Sequence, residues 1–549
     1  MEGFVAWPDD LAAHYRQVGL WEGLTLMQMF ERTAQRTPDK LALVWADQRW
    51  TYAALQDRSR RLAVGLRRSG IRRGERVLMQ LPNTPDFVFT YLALNAIGAI
   101  PVMALRAHRH AEVRHFLRAS GATAYVVPDV LGRFDYRDMA AQMQAEFPAL
   151  RQVLVAGEPG AGQGALAALI GASLTDDEVA QALAVDAPQP RDVCTMLLSG
   201  GTTSMSKLIP RTHDDYVLNA RLCGAAAGFD ASTVFMALLP LGHNYNLASP
   251  GLLATFYFGG TVVLGQGTAA DEVFALVARE RVTVIAAVVP LITAWLNAPE
   301  VAKHDLRSLK VIQNGGAQLA PELRRRVRAQ LGCTPQEVYG TAEGLINMTR
   351  LDDPDELLLY SSGTPVCDED EIRVVDDFGQ DVPDGVSGEL VTRGPYTIRG
   401  YYNAPEKNAE AFLPGGWYRM GDIVKCQGRS ITTEGRRKDM INRGGEKISC
   451  EEVENLILTH PKVKTAVLVA MPDPLFGEKA CACVVPVAGQ TLAFDELIAH
   501  LRGQQIAAFK LPERLELMDE MPLSPVGKIL KRELRERIAA KLDVERKPG

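Results

Sequence analysis

From about residue 24 onward this chain alternates helix-period segments with short β-branched runs, and that alternation restricts its fold more than any other feature. Tyr52–Ser69 reads as a helix, whereas Arg76–Leu81 and Ala124–Pro128 read as strands. Strands separated by helices argue a parallel, doubly wound α/β architecture. At 549 residues the chain is too long for one hydrophobic core, so two or more domains are expected.

The pattern changes toward the end. Glu369–Thr392 alternates strand-like segments with turn sequences (DDFGQD, DGVSGE), predicting a small β subdomain. Beyond Gly435 come a helix at Glu452–Thr459, strands at Thr465–Ala470 and Ala480–Pro486, and helices at Phe494–Gln504 and Leu530–Leu542. These make a compact α+β unit of about 110 residues. The boundary falls at Arg437-Lys438, giving a large domain over 1–437 and a small one over 438–549.

Several function classes are disfavoured. A formal net charge of −6 supplies no basic field for nucleic acid or an anionic membrane. Arg324-Arg325-Arg326 lies in a helical pattern and reads as a solvated face, and Gly157–Gly164 reads as a surface loop. The apolar run Val282–Val289 is too short to span a membrane, is closed by Pro290, and reads as a buried strand. The N-terminus is acidic and broken by Pro8, unlike a signal peptide. Eight cysteines occur without a CxxC pair, and Cys481 and Cys483 share one face of a strand-like run. They read as small buried apolar groups in a reducing cytoplasm.

The chemistry begins at Leu198–Lys207, LSGGTTSMSK, directly after the apolar run Cys194–Leu198. Glycines let backbone N–H groups approach an anion, hydroxyls add donors, and a lysine adds charge. It is not a Walker loop, because the Gly-Lys-Ser/Thr ending is missing. Further along stand Tyr339–Gly344 (YGTAEG), Tyr418–Asp422 (YRMGD), Gly435–Asp439 (GRRKD), Asn442–Lys447 (NRGGEK) and Pro525–Lys528 (PVGK). Each fragment alone reads as a turn or a charged loop.

Together, in this order over nearly the whole chain, they resemble the adenylate-forming superfamily of acyl-CoA synthetases, luciferases and peptide-synthetase adenylation domains. The resemblance implies ATP and Mg²⁺ as cofactors. It makes Ser199, Gly200, Gly201, Thr202, Thr203 and Lys207 the loop over the ATP phosphates. It makes Gly315, Gly316 and Ala317 the edge flanking adenine, with Tyr339 and Gly340 beside it. Thr341 then meets the α-phosphate, Glu343 holds the metal, and Asp422 binds the ribose with help from Arg436. Lys438 falls at the hinge, and Lys528 bridges the substrate carboxylate and the phosphate. The loop departs from the family where Ser204-Met205-Ser206 replaces Gly-x-Pro, and Met420 replaces a threonine.

The segment Leu241–Pro250 (LGHNYNLASP) narrows the substrate. Amino-acid-activating members carry an aspartate there for the α-ammonium; Asn244 stands near that point, and a buried ammonium without a carboxylate is costly. His243-Asn244-Tyr245 resembles the pocket of stand-alone aryl-acid AMP ligases of siderophore assembly. So do Lys207–His213, Gly344–Asp353 and Arg393–Tyr402. That resemblance has Asn244 bonding the 2-hydroxyl, Tyr245 flanking the ring, His243 near the carboxylate, and Gly316 also on the substrate. Ser249 matches 2,3-dihydroxybenzoate members, which carry serine there, whereas Ile346 leans toward salicylate members with a larger aliphatic. An unmade buried hydrogen bond costs about 1–3 kcal/mol, so 2,3-dihydroxybenzoate is favoured, with salicylate as the alternative. No Asp-Ser phosphopantetheine site follows Lys528. The acceptor is therefore expected in trans, either an aryl carrier protein's phosphopantetheine or coenzyme A. Luciferase-type oxidation and a non-catalytic relative are the outside alternatives. Lys207, Glu343, Asp422, Arg436 and Lys528 together argue against the second.

Overall fold

The computed structural model describes residues 1–170, 174–199, 206–444, 446–504, 506–524 and 527–545, without the side chains of Lys438 and Lys447. Gly200, Gly201, Thr202, Thr203 and Ser204, all expected in the phosphate loop, lie outside the described residues.

Two large sheets carry the first part of the chain. The seven-stranded sheet pairs Ile100–Met103, Arg76–Met79, Ala124–Pro128 and Gln152–Ala156 in parallel. On one flank Val193–Leu198 joins in parallel and then forms an antiparallel pair with Leu208–Thr212. The nine-stranded sheet has Val284–Ala287, Val311–Gly315 and Thr334–Thr341 in parallel register, and Gly344–Met348 returns antiparallel to the last. Helices cover both sheets, as the alternation of periods required. One example is Tyr52–Arg68, capped by the Thr51 hydroxyl accepting from Ala54 N–H. Gly315, Tyr339 and Thr341 all sit at carboxyl ends of neighbouring strands, the edge where open α/β sheets bind ligands.

A five-stranded sheet built from Glu371–Val375, Gly388–Arg393, Phe412–Leu413, Trp417–Gln427 and Ser430–Arg436 forms the β subdomain. A further sheet starts at Ile441–Arg443 and is dominated by the hairpin of Val463–Asp473 with Gly477–Pro486. Helices Cys450–Ile457, Phe494–Gly503 and Lys531–Glu545 pack on it. All eight cysteines are buried and unpaired, and Cys481 and Cys483 face one apolar cluster with Leu534 and Ile538.

Two expectations need correction. Arg324 is not part of a solvated face. It is buried, pairs with Glu337 at 2.9 Å, and donates to the carbonyls of Leu319, Leu358 and Ser361. Its neighbour Arg325 is exposed, since adjacent helical positions point about 100° apart. Val282–Val289 also splits: the strand is Val284–Ala287, and Pro290 opens the helix Val289–Leu296 instead of merely ending the run. Among the described residues no helix is long and apolar enough to cross a membrane.

Candidate active site

A cavity at the carboxyl edge of the nine-stranded sheet collects residues that lie far apart in sequence. Its walls include His243, Asn244, Tyr245 and Ser249, then Gly315, Gly316, Gly340, Thr341 and Ile346, and finally Lys528. Lys528 comes from the C-terminal unit, on a loop closed by the Ser524 hydroxyl accepting from Lys528 N–H at 3.0 Å. Gly316 has φ +88°, and a Cβ there would lie 3.0 Å from Lys528 Cε. Glycine thus supplies both the backbone conformation and the room for the lysine to pass. A Cβ on Gly315 would lie 2.9 Å from the Tyr245 ring, so that glycine is what lets the ring lie against the strand end.

His243 caps the short helix Asn244–Ala248, its Nδ1 accepting from Tyr245 N–H at 3.3 Å. Burial, reinforced by the nearby Lys528 charge, pushes its imidazole down to about 3. The ring is therefore neutral at physiological pH, with its proton on Nε2. Asn244 is buried and held at both ends. Its Oδ1 accepts from the Tyr216 hydroxyl at 2.8 Å, and its Nδ2 donates to Ser249 Oγ at 3.0 Å. Ser249 Oγ also accepts from Asn219 Nδ2 at 2.9 Å. Both of its lone pairs are engaged, and its hydroxyl also meets the Cys223 thiol. Asn219 Oδ1 is buried without a partner among the described residues.

Along the strand Thr334–Thr341, the Tyr339 hydroxyl donates to Asp422 Oδ2 at 2.9 Å. Arg436 Nε meets Asp422 Oδ1 at 3.1 Å. Burial raises the Asp422 carboxyl, and Arg436 and Tyr339 oppose that. The Thr341 hydroxyl donates to Gly344 O at 3.0 Å across the turn that carries Glu343. Glu343 is buried, and its Oε1 accepts from the Tyr401 hydroxyl at 2.9 Å. Lys207 Nζ lies 4.1 Å above the Tyr401 ring, so the loop's lysine and the acidic turn share one tyrosine. Burial lowers the Lys207 ammonium, and the Glu343 charge opposes it. Ser199 is tied back to Lys207, its Oγ accepting from Lys207 N–H at 2.9 Å. Asn314 Nδ2 donates to Ala317 O at 2.7 Å and fixes the turn after Gly316.

Among the described residues no group of three or more His, Cys, Asp or Glu could hold a metal. A divalent cation at Glu343 would thus draw its other ligands from bound phosphates and water, as Mg²⁺ commonly does.

A cation thus reaches into the site from the C-terminal unit, and an acidic turn lies close to a lysine. Residues 30–402 match the family model described as AMP-binding enzyme, and residues 452–528 match AMP-binding enzyme C-terminal domain. The chain belongs to this family. This AMP-binding enzyme is 44% identical over 545 residues to 2,3-dihydroxybenzoate-AMP ligase of Bacillus subtilis, covering 99% of each chain. It is 45% identical over 547 residues to salicylyl-CoA synthase / salicylate adenylyltransferase of a Streptomyces species, again covering 99% of each. Among solved structures it resembles the apo structure of MbtA from Mycobacterium smegmatis, with a TM-score of 0.75, 40% identity, and coverage of 97% of this chain and 99% of that one.

Sequence reasoning on this AMP-binding enzyme assigned no role to Arg211, Tyr216, Asn219, Tyr396 or Tyr401. Arg211, Tyr396 and Tyr401 lie inside the segments Lys207–His213 and Arg393–Tyr402 that carried the aryl-ligase resemblance. Their signal was present, but it had no chemistry attached.

Proposed function

We propose that this chain uses ATP to convert a 2-hydroxylated benzoic acid to its acyl adenylate, releasing pyrophosphate, and then passes the aryl group to a phosphopantetheine thiol in trans. The observation that carries this reading is the convergence of Lys528, neutral His243 and the doubly anchored Asn244 on one cavity. The reaction joins two anions: a carboxylate oxygen attacks the α-phosphorus and pyrophosphate leaves. It needs positioning and charge neutralisation rather than a general base, since a carboxylate is already nucleophilic. Lys528 supplies the positive charge beside the carboxylate. His243 Nε2–H is free to donate to one carboxylate oxygen, leaving the other to attack. Asn244 keeps one amide hydrogen and one lone pair for a 2-hydroxyl. Tyr245 over Gly315 flanks the ring, and among the described residues lining the cavity no carboxylate stands ready for an amino group.

Asp422 with Arg436 takes the ribose, Tyr339 with Gly315, Gly316, Ala317 and Gly340 bounds the adenine, and Thr341 lies beside the α-phosphate. Ser199, Gly200, Gly201, Thr202, Thr203 and Lys207 serve the β- and γ-phosphates. Glu343 would hold Mg²⁺, which when bound screens the phosphate charge. Lys438 is the hinge of a small domain over 438–549 whose rotation exchanges Lys528 for another face before thiol attack. Relatives named both as AMP ligases and as a CoA synthase leave a carrier protein and coenzyme A as acceptors of the same chemistry, with the carrier favoured.

2,3-Dihydroxybenzoate is favoured over salicylate, and the distal wall supports this. Ser249 lines the cavity and the Asn219 Oδ1 behind it is unpartnered among the described residues, so polar capacity exists beyond the 2-position. Ile346 opposes it by adding bulk to the lining of the same cavity. ATP–pyrophosphate exchange across 2,3-dihydroxybenzoate, salicylate, benzoate, anthranilate and several amino acids tests the reading. Exchange led by 2,3-dihydroxybenzoate is expected. Salicylate in front would give the wall to Ile346, and exchange only with amino or fatty acids would overturn the pocket assignment.

A further inference from the structure

Arg211 stands behind three parts of the site and touches none of the reacting groups. It lies on the strand Leu208–Thr212, just beyond Lys207, and is fully buried. Its guanidinium divides its donors three ways: Nε to Asp215 Oδ1 at 2.7 Å, one terminal nitrogen to Ala342 O at 2.9 Å, the other to Tyr396 O at 3.1 Å. Its flat face lies 4.7 Å from the Tyr216 ring, whose hydroxyl anchors Asn244. Ala342 sits between Thr341 and Glu343, and the Tyr396 hydroxyl accepts from Ile346 N–H at 3.3 Å. One side chain thereby joins the phosphate-loop hairpin, the acidic turn and two walls of the aryl pocket.

A buried ion pair by itself is weak evidence for stability, since well-packed apolar residues often serve as well. Holding two separate carbonyls while pairing with a carboxylate needs a planar fork, which neither lysine nor an apolar side chain offers. The turn so held is a costly one: Gly344 has φ +147° and Leu345, a non-glycine residue, has φ +36°. Such conformations persist where surrounding contacts over-determine them.

We propose that Arg211 is a positioning residue for adenylation, holding the Thr341–Glu343 turn and the Asn244 amide in mutual register. The inference rests on the functional reading above, which assigns those groups to ATP and the aryl acid. Arg211→Lys keeps the charge opposite Asp215 and loses the fork. In pyrophosphate exchange with the favoured acid, its kcat per folded site falls about a hundredfold, the scale of a small misplacement of catalytic groups. The preference for salicylate over benzoate narrows, because Asn244 loses its register. The KM for ATP changes by less than about threefold. A lowered melting temperature with wild-type kcat and wild-type preference would overturn the proposal, leaving Arg211 a structural residue only. Should Arg211→Lys fail to fold, Asp215→Asn removes one anchor and decides the matter. A fall in kcat of about tenfold supports the proposal, and an unchanged kcat overturns it. Wild-type enzyme inactive with every aryl acid would instead remove the functional reading on which the inference stands.

Discussion

Lys528 and His243 face the same cavity, yet their surroundings leave them in opposite charge states. The protein around Lys528, and then the Arg436 charge, push its ammonium down to about 8, against Asp422 and Glu343, which raise it. Its side chain is exposed to the open cleft, where water opposes this depression. The group is charged below its pKa and neutral above it. On the proposed role of Lys528 the charged form is the active one, so kcat/KM for ATP is expected to fall as pH rises through a midpoint near 8. An ordinary lysine would place that midpoint near 10.4, and the free-enzyme profile reports it directly. His243, pushed to about 3, contributes no limb between pH 5 and 7. An acidic limb centred near pH 6, lost in His243→Asn, would contradict its assignment as a neutral donor.

At the scale of elements, strand ends deliver the site, and the glycines there act through the space they leave. Gly315→Ala places a Cβ 2.9 Å from the Tyr245 ring and forces the ring into the pocket. The expected outcome is a KM for the aryl acid raised about tenfold with the KM for ATP little changed, on the scale of a 1–3 kcal/mol packing strain. Equal changes in both would show that the strand end itself had moved. The strands and helices that form these ends were legible in the sequence wherever period and burial agreed. Ala124–Pro128 matches its strand residue for residue, and Tyr52–Ser69 its helix apart from the capping Ser69. The helix expected from Glu452 begins instead at Cys450, because Ser449 caps it and its hydroxyl accepts from Glu452 N–H. The backbone ladder of the site was readable for the same reason, since Gly315, Tyr339 and Asp422 sit in recognisable segments. Arg324 and Arg211 were not, because a charged residue is read as exposed unless its partners are known. Asp215 lies only four residues from Arg211, but Glu337 beside Arg324 and the Ala342 and Tyr396 carbonyls beside Arg211 are brought there only by the fold. The two amide donors to Ser249, from separate helices, were likewise not legible in the sequence.

At the scale of the molecule, the C-terminal unit meets the rest of the chain at the β subdomain and at the cavity wall. Ser449 donates to Glu434 O at 2.7 Å, and Thr433 donates to Glu451 Oε2 at 3.2 Å across to the β subdomain. Lys528 then reaches the cavity wall at Gly316. An apolar contact accompanies them, since Leu458 packs against the core cluster that contains Val44 and Met236. On the proposed function this arrangement is the one suited to adenylation, with the lysine already at the cavity wall. The central claim is that this reach of Lys528 serves the first half-reaction and not the second. The most direct measurement compares the two halves in Lys528→Ala: adenylate formation from ATP and aryl acid, and thioester formation from supplied aryl adenylate with a thiol acceptor. The account predicts adenylate formation lowered by at least about a hundredfold with transfer close to wild type. Equal loss in both halves, or none in either, would contradict it.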